Sequence, residues 1–220
     1  FVLSWNGESL EVVTRLVGRH NVANCLAAIV AAKHFGITSE DIAAGIEALE
    51  MVPGRLERIE CGQPFDVFVD YAHTDDALRR CIEPLKQLTQ GRVICVFGAG
   101  GDRDRSKRPL LASAAATADL AVVTSDNPRT EDPQQIIDDI VCGFESTPKQ
   151  PFTEPNRAKA IRWAIEHAGP GDSLLVAGKG HETEQIIGTT RIPFDDREVV
   201  RNVLFDITAP DVAGKVRISA

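Results

Sequence analysis

The chain is 220 residues long, 43% hydrophobic and carries a formal charge of −8. It can bury a sizeable core but lacks the basic surface that nucleic acid or an anionic membrane would require. Cys25, Cys61, Cys81, Cys95 and Cys142 are odd in number, widely spaced and without a Cys-x-x-Cys pair, which argues against a disulfide framework or zinc site and fits a reducing cytoplasm.

No apolar run reaches membrane-spanning length, so small-molecule ligands are expected rather than lipid. The chain opens Phe1-Val2-Leu3-Ser4 and its single methionine is Met51. It therefore reads as a piece of a longer protein or a processed one. Residues 21–35 carry Ala, Leu, Ile and Val at helical spacing, with Gly36 as a stop. Thr38-Ser39-Glu40-Asp41 starts a second helix through about Leu49. Met51-Val52-Pro53-Gly54-Arg55 interrupts this pattern and marks the expected boundary between residues 1–53 and residues 54–220.

Beyond the boundary, strands are expected at 65–69, 93–97, 120–124 and 173–177. Helices are expected at 75–88, 108–118, 133–144, 157–167 and 196–205, and the tail through Ala220 can add a strand. Val/Ile/Leu-rich strands alternating with amphipathic helices imply an α/β fold: a mostly parallel sheet with helices on both faces.

Four strand ends carry polar clusters. They are Asp70-Tyr71-Ala72-His73, the loop from Gly98-Ala99-Gly100-Gly101 to Asp102-Arg103-Asp104, Ser125-Asp126-Asn127-Pro128-Arg129, and Gly178-Lys179-Gly180-His181-Glu182. In a parallel sheet these ends share one side and converge on a cleft. Asn127 is biased toward an extended conformation by Pro128, whose fixed φ makes a stiff turn that aims Arg129, a guanidinium suited to a carboxylate. The glycines after Phe97 let backbone amides approach a ligand, but they lack the dinucleotide spacing.

Other residues keep two readings. Glu182 is a capping carboxylate or an acceptor for an ammonium group. Asp70 is a helix cap or a ligand contact, and His73 a satisfied strand-end histidine or a ligand contact. Asn21 and Asn24 share a helical face and either cap the helix or read a ligand. Lys107 and Arg108 read as solvated charges at a helix start.

Six segments occur in the order seen in the Mur ligases of peptidoglycan synthesis. They are His20-Asn21-Val22-Ala23-Asn24, Val52-Pro53-Gly54-Arg55, Asp70-Tyr71-Ala72-His73-Thr74, Gly100-Gly101-Asp102-Arg103-Asp104, Asp126-Asn127-Pro128-Arg129 and Gly178-Lys179-Gly180-His181-Glu182. The chain resembles that family over nearly its whole length. Its Asp-Asn-Pro-Arg segment resembles the branch that adds meso-diaminopimelate rather than lysine.

The resemblance implies the end of a central ATPase domain followed by a Rossmann-like C-terminal domain. It implies that Asn21, Asn24, Arg55, Asp70 and His73 contact ATP, and that Arg103, Asp126, Asn127, Arg129, Gly178 and Glu182 hold diaminopimelate. It further implies ATP and magnesium as cofactors of the whole enzyme and a UDP-N-acetylmuramoyl dipeptide as second substrate. No Gly-x-x-x-x-Gly-Lys-Ser/Thr loop occurs, so the phosphate cradle and its magnesium ligand are missing from this chain, which is expected not to catalyse unaided. Two rivals are a folylpolyglutamate synthetase-like ligase, disfavoured by the Asp-Asn-Pro-Arg and Gly-Lys-Gly-His-Glu pair, and a noncatalytic Rossmann-like nucleotide-binding module.

Overall fold

A computed structural model describes residues 1–5 and 7–208; the expected tail strand lies outside them. The chain begins with an antiparallel hairpin, β1 (Val2–Trp5) and β2 (Glu8–Glu11), followed by helices α1 (Arg19–His34) and α2 (Ser39–Glu47). The hairpin was not expected, although Asn6-Gly7 between two short strands is a turn signal. Gly36, at φ 77°, ends α1 in the left-handed conformation that favours glycine. Thr38 caps α2 by accepting from the Asp41 amide at 3.1 Å. Val12, Ile29 and Ile42 form a small core of their own here. Large apolar side chains stay exposed around it, among them Trp5, Val13, Phe35 and Met51.

The rest is a six-stranded sheet. In chain order it uses β3 (Glu57–Arg58), β4 (Asp66–Asp70), β5 (Val93–Phe97), β6 (Leu120–Val123), β7 (Phe152–Thr153) and β8 (Ser173–Ala177). Across the sheet the order is β3-β4-β8-β5-β6-β7, with only β3 antiparallel to its neighbour. The last long strand thus enters between the first two: β8 pairs with β4 through Val67↔Leu174 and with β5 through Val96↔Val176.

Helices α3 (Asp75–Leu88), α4 (Arg108–Ala115) and α5 (Pro133–Val141) cover one face, where Cys95, Phe97, Val123 and Leu175 point. Helices α6 (Arg157–Glu166) and α7 (Asp196–Thr208) cover the other, meeting Ile94, Val96, Val122 and Val176. The period-two alternation of a strand buried on both faces explains why β5 and β8 are apolar throughout. The helix expected at 108–118 ends earlier, at Ala115, and the one expected at 133–144 passes into a 3₁₀ turn at Cys142–Phe144. An unexpected second hairpin, β9 (Glu184–Ile187) and β10 (Thr190–Pro193), lies between β8 and α7.

Backbone protection should follow these cores. Amides of β4, β5 and β8 sit between two packed helical layers, whereas those of α1 and α2 rest on three buried side chains. Hydrogen exchange is therefore expected to be slowest in the sheet and faster before Pro53, and equal protection on the two sides would contradict this.

Candidate functional site

The parallel strands end on one side, where their loops form one cavity, and a second lies among α1, α3 and the segment 52–55. The first, of about 350 Å³, is lined by Arg103, Asp126, Asn127, Arg129, Gly178 and Glu182, the six residues expected to act together, and also by His73. The second, of about 440 Å³, is lined by Asn21, Asn24, Arg55 and Asp70. Of the five residues grouped with the nucleotide, His73 alone stands on the wall of the first cavity.

Arg129 takes φ 52°, and its aim depends on more than Pro128. Its backbone amide donates to Ile186 O at 3.0 Å, while its carbonyl accepts from Gly188 N at 2.6 Å, so the β9–β10 hairpin holds the residue. One guanidinium nitrogen donates to Gly101 O at 2.7 Å. No ion pair engages Arg129 among the described residues, which leaves the rest of its fork for a ligand.

Two glycines of the loop after β5 serve the packing of one loop on another. A Cβ at Gly98 would lie 2.3 Å from Thr124 O, and one at Gly101 only 1.9 Å from Pro128 O. The Gly101 amide donates to Asn127 O at 2.8 Å. Gly100 is on the wall of the first cavity, and a Cβ there would meet an Arg129 guanidinium nitrogen at 2.8 Å.

Asp126 accepts from the Asn127 amide through Oδ1 at 2.6 Å. Its buried Oδ2 has no hydrogen-bond partner among the described residues. A Cβ at Gly178 would stand 2.6 Å from that oxygen, so Gly178 leaves the carboxylate its room.

Asn127 bridges three groups. Its Nδ2 donates to Glu182 Oε2 at 2.9 Å, while Oδ1 accepts from Lys179 Nζ at 3.1 Å and from Ile186 N at 3.0 Å. Lys179, fully buried, also donates to Glu182 Oε2 at 3.0 Å and to Glu184 O at 2.6 Å. Burial pushes the Glu182 carboxyl up. Hydrogen bonds from Asn127 and Lys179, with the charges of Lys179 and Arg129, outweigh that and hold it below the usual glutamate range.

Hydrogen bonds and ion pairs set the other polar side chains. Asp70 does not cap α3, a role that Thr74 fills. Asp70 instead accepts from Leu56 N and Ala72 N, both at 2.7 Å, and so fixes Leu56 at φ 44°. Arg108 is buried rather than solvated, bound to Glu131 at 2.7 Å and Asp139 at 2.8 Å. Asn21 donates to Val17 O at 2.8 Å and accepts from Asn24 at 3.2 Å, which secures the first turn of α1. His73 Nδ1 lies 2.8 Å from Tyr71 O, an acceptor only, so Nδ1 is the donor of that bond. The guanidinium of Arg55 lies 5.0 Å over the Tyr71 ring, between the two cavities.

Two functional supports escaped the sequence reading. Lys179 is one. Arg157 is the other: with Asp196 it forms a fully buried pair at 2.7 Å, and it donates to Ala177 O at 2.9 Å and Ser125 O at 3.4 Å. Both Arg157 and Arg108 open helices, where the macrodipole disfavours a cation. Carboxylates offset this at both positions, Asp196 for Arg157 and Glu131 with Asp139 for Arg108.

Among the described residues no three His, Cys, Asp or Glu side chains converge to hold a metal ion, and no step is assigned to one here.

A family description, "Mur ligase, glutamate ligase domain", matches residues 54–180. A protein of Solibacter usitatus named UDP-N-acetylmuramoyl-L-alanyl-D-glutamate--2,6-diaminopimelate ligase is 50% identical over 205 residues, which is 93% of this chain and 42% of that protein. A solved structure of a ligase of the same name superimposes with a TM-score of 0.70 at 39% identity, covering 94% of this chain and 42% of the other. A Mycobacterium tuberculosis folylpolyglutamate synthase complexed with ADP and AMPPCP shares the fold, with a TM-score of 0.63 at 20% identity over 92% of this chain and 43% of its own. The chain spans about two fifths of the length of these relatives.

The held carboxylates predict an acid limb of stability. Hydrogen bonds from Arg108 keep Glu131 and Asp139 below their usual ranges, as Lys179 and Asn127 do for Glu182 after burial is opposed. A carboxyl whose folded pKa is depressed contributes fully above its unfolded value and loses that contribution as pH falls through the folded one. The melting temperature is expected to hold through neutrality and to fall below the ordinary glutamate value of 4.5. Calorimetry against pH measures it, and an onset near pH 6 would contradict it.

Proposed function

The chain belongs to the Mur ligase family, and from that premise we propose that it is the C-terminal part of an ATP-dependent amide ligase. The whole enzyme joins meso-diaminopimelate to UDP-N-acetylmuramoyl-L-alanyl-D-glutamate. Residues 1–53 complete a central ATP-binding domain, and residues 54–220 form the domain that binds the amino acid. The small separate core and exposed apolar side chains before Pro53 favour that division.

The observation that carries the reading is the charge pattern of the first cavity. Arg129 offers a guanidinium with no carboxylate of its own among the described residues, and Glu182 offers Oε1, because its Oε2 already accepts from Asn127 and Lys179. A carboxylate and an ammonium on one carbon match that pair. Lysine has no distal carboxylate and so would leave Arg129 unpaired. The opposite end of diaminopimelate then extends toward Tyr71, His73 and Arg55, where the two cavities meet.

In this reading Asn24 and Arg55 contact the nucleotide, and their position on the wall of the second cavity supports it. ATP transfers its γ-phosphoryl group to the glutamate side-chain carboxylate of the UDP-sugar dipeptide. The diaminopimelate amine attacks the acyl phosphate, the amide forms and phosphate leaves. This chain contributes the amino-acid site and closes over the nucleotide. The phosphate cradle, the magnesium ligands and the sugar-nucleotide site belong to regions outside it. Among the described residues no helix is long and apolar enough to cross a membrane, and action in the cytoplasm is part of the same proposal.

Two outcomes are expected. With ATP, magnesium, the UDP-muramoyl dipeptide and diaminopimelate, the 220-residue chain alone releases no substrate-dependent phosphate, because positioning of the transferred group requires the phosphate loop and its metal. In the full-length ligase, Arg129→Ala lowers kcat/KM for diaminopimelate roughly 30-fold or more, since unpairing a buried charge costs about 2–5 kcal/mol, and lysine loses little. An unchanged ratio of the two kcat/KM values would show that Arg129 does not read the distal carboxylate.

A further inference from the structure

We propose that Lys179 is the positioning residue of the amino-acid site: from beneath the cavity it sets the amide of Asn127 and leaves Glu182 a single free oxygen for the ligand's ammonium group. The inference rests on the amino-acid reading above and goes beyond it, because Lys179 touches no ligand. Its side chain is fully buried. An ammonium group has three protons, and here they go to Asn127 Oδ1, Glu182 Oε2 and Glu184 O. None remains for a substrate carboxylate or phosphate.

These three bonds have a directional consequence. Asn127 Oδ1 faces two donors, Lys179 Nζ and Ile186 N, so its amide cannot be turned over without setting NH₂ against two N–H groups. Nδ2 must then point at Glu182 Oε2, where it meets the second hydrogen bond from Lys179. With Oε2 engaged twice, Oε1 is the acceptor left to the cavity. The third bond, to Glu184 O at the start of β9, ties the same ammonium to the hairpin that holds the Arg129 backbone. One buried cation therefore links the group that receives the ligand's ammonium to the group that receives its carboxylate.

The charge setting makes this necessary. Glu182 shares its wall with Asp126, a second carboxylate, and Arg129 after β6 and Arg157 from α6 also face it. Across the cavity stand Arg103, Asp104, Lys107 and Arg108, which follow β5, and His73, which follows β4. Arg157 is already paired with Asp196. Lys179 is the cation in direct contact with Glu182, at 3.0 Å, and against the burial that raises that carboxyl its hydrogen bond and charge hold it down.

The test compares wild type with Lys179→Met, which keeps length and removes charge. Two readouts are used: titration of the Glu182 carboxyl by NMR without ligand, and calorimetric binding of diaminopimelate across pH. In the variant the Glu182 titration is expected to move to higher pH, binding at pH 7 to weaken about tenfold or more, and the acid limb of binding to move up with the titration. A purely structural role would instead weaken binding equally at every pH with the Glu182 titration unmoved, and that result overturns the inference.

Should Lys179→Met not fold, Lys179→Gln, which keeps a donor but removes the charge, is read in the same way. Its Glu182 titration should lie at higher pH than in wild type, and an unmoved titration overturns the inference. If wild type does not bind diaminopimelate, the amino-acid reading fails on its own terms, and with it the assignment of a ligand-positioning role to Lys179. A moved Glu182 titration would then distinguish that failure from an absent coupling.

Discussion

The arrangement depends on a guanidinium sealed inside the protein. Arg157 opens α6 and reaches the ends of two strands that are not neighbours, taking Ala177 O of β8 and Ser125 O beyond β6, while Asp196 of α7 binds it through both carboxylate oxygens. Burial opposes the charge, but Asp196 outweighs it and holds the guanidinium pKa above its ordinary value. Such a pair adds little net stability relative to apolar packing, yet removal of either partner would strand a buried charge. Its consequence is geometric: β6 and β8 end in loops that would be free to splay where sheet pairing stops, and one planar group ties them across the end of β5. Gly98 permits the crossing, because a side chain there would collide with Thr124 O.

Once those ends are tied, the chemistry sits in their loops. Asp126 and Asn127 continue β6, Gly178 to Glu182 continue β8, and the two runs meet through the Asn127–Glu182 and Asn127–Lys179 bonds. The β9–β10 hairpin then closes over them, and a bridge between Arg129 and Ile187 makes the Asp-Asn-Pro-Arg turn part of its edge. Rigid backbone contacts thus determine where Arg129 and Glu182 stand. Positioning of this kind suits the amino-acid site proposed above.

The neighbouring cavity is built differently. Asp70 spends both oxygens on backbone amides, and Asn21 is occupied with the first turn of α1, so these two shape the walls, while Asn24 and Arg55 keep side-chain capacity to offer a ligand. Tyr71 joins the two spaces, with Arg55 over its ring and His73 and His181 at 4.7 and 5.2 Å. Gly54 packs against Gly180 so closely that a Cβ would lie 2.3 Å from the Gly180 carbonyl carbon. The Pro53-Gly54 segment is therefore in direct contact with the loop that carries Lys179 and Glu182.

Periodicity in the sequence determined the alternation of strands and helices, because burial on two faces demands apolar strands and amphipathic helices whatever the order of the strands. Parallel strand ends must share a side, which put four polar loops together, and the family resemblance singled out Arg103, Asp126, Asn127, Arg129, Gly178 and Glu182 among them, six residues that line one cavity. The two-residue pieces β3 and β7 were not legible, because each is defined by pairing with another strand, β4 and β6; the hairpins β1–β2 and β9–β10 pair locally, but strands of four residues are too short for a period-two pattern to stand out. Only the tertiary structure could show that Arg108, Arg157 and Lys179 are buried rather than solvated. A cation's surroundings depend on which carboxylates and carbonyls distant segments bring to it, and Asp196 lies 39 residues from Arg157. That separation is also why the sequence suggested which side chains meet a ligand, while the residues that hold them in place emerged only when β6, β8 and α7 came together.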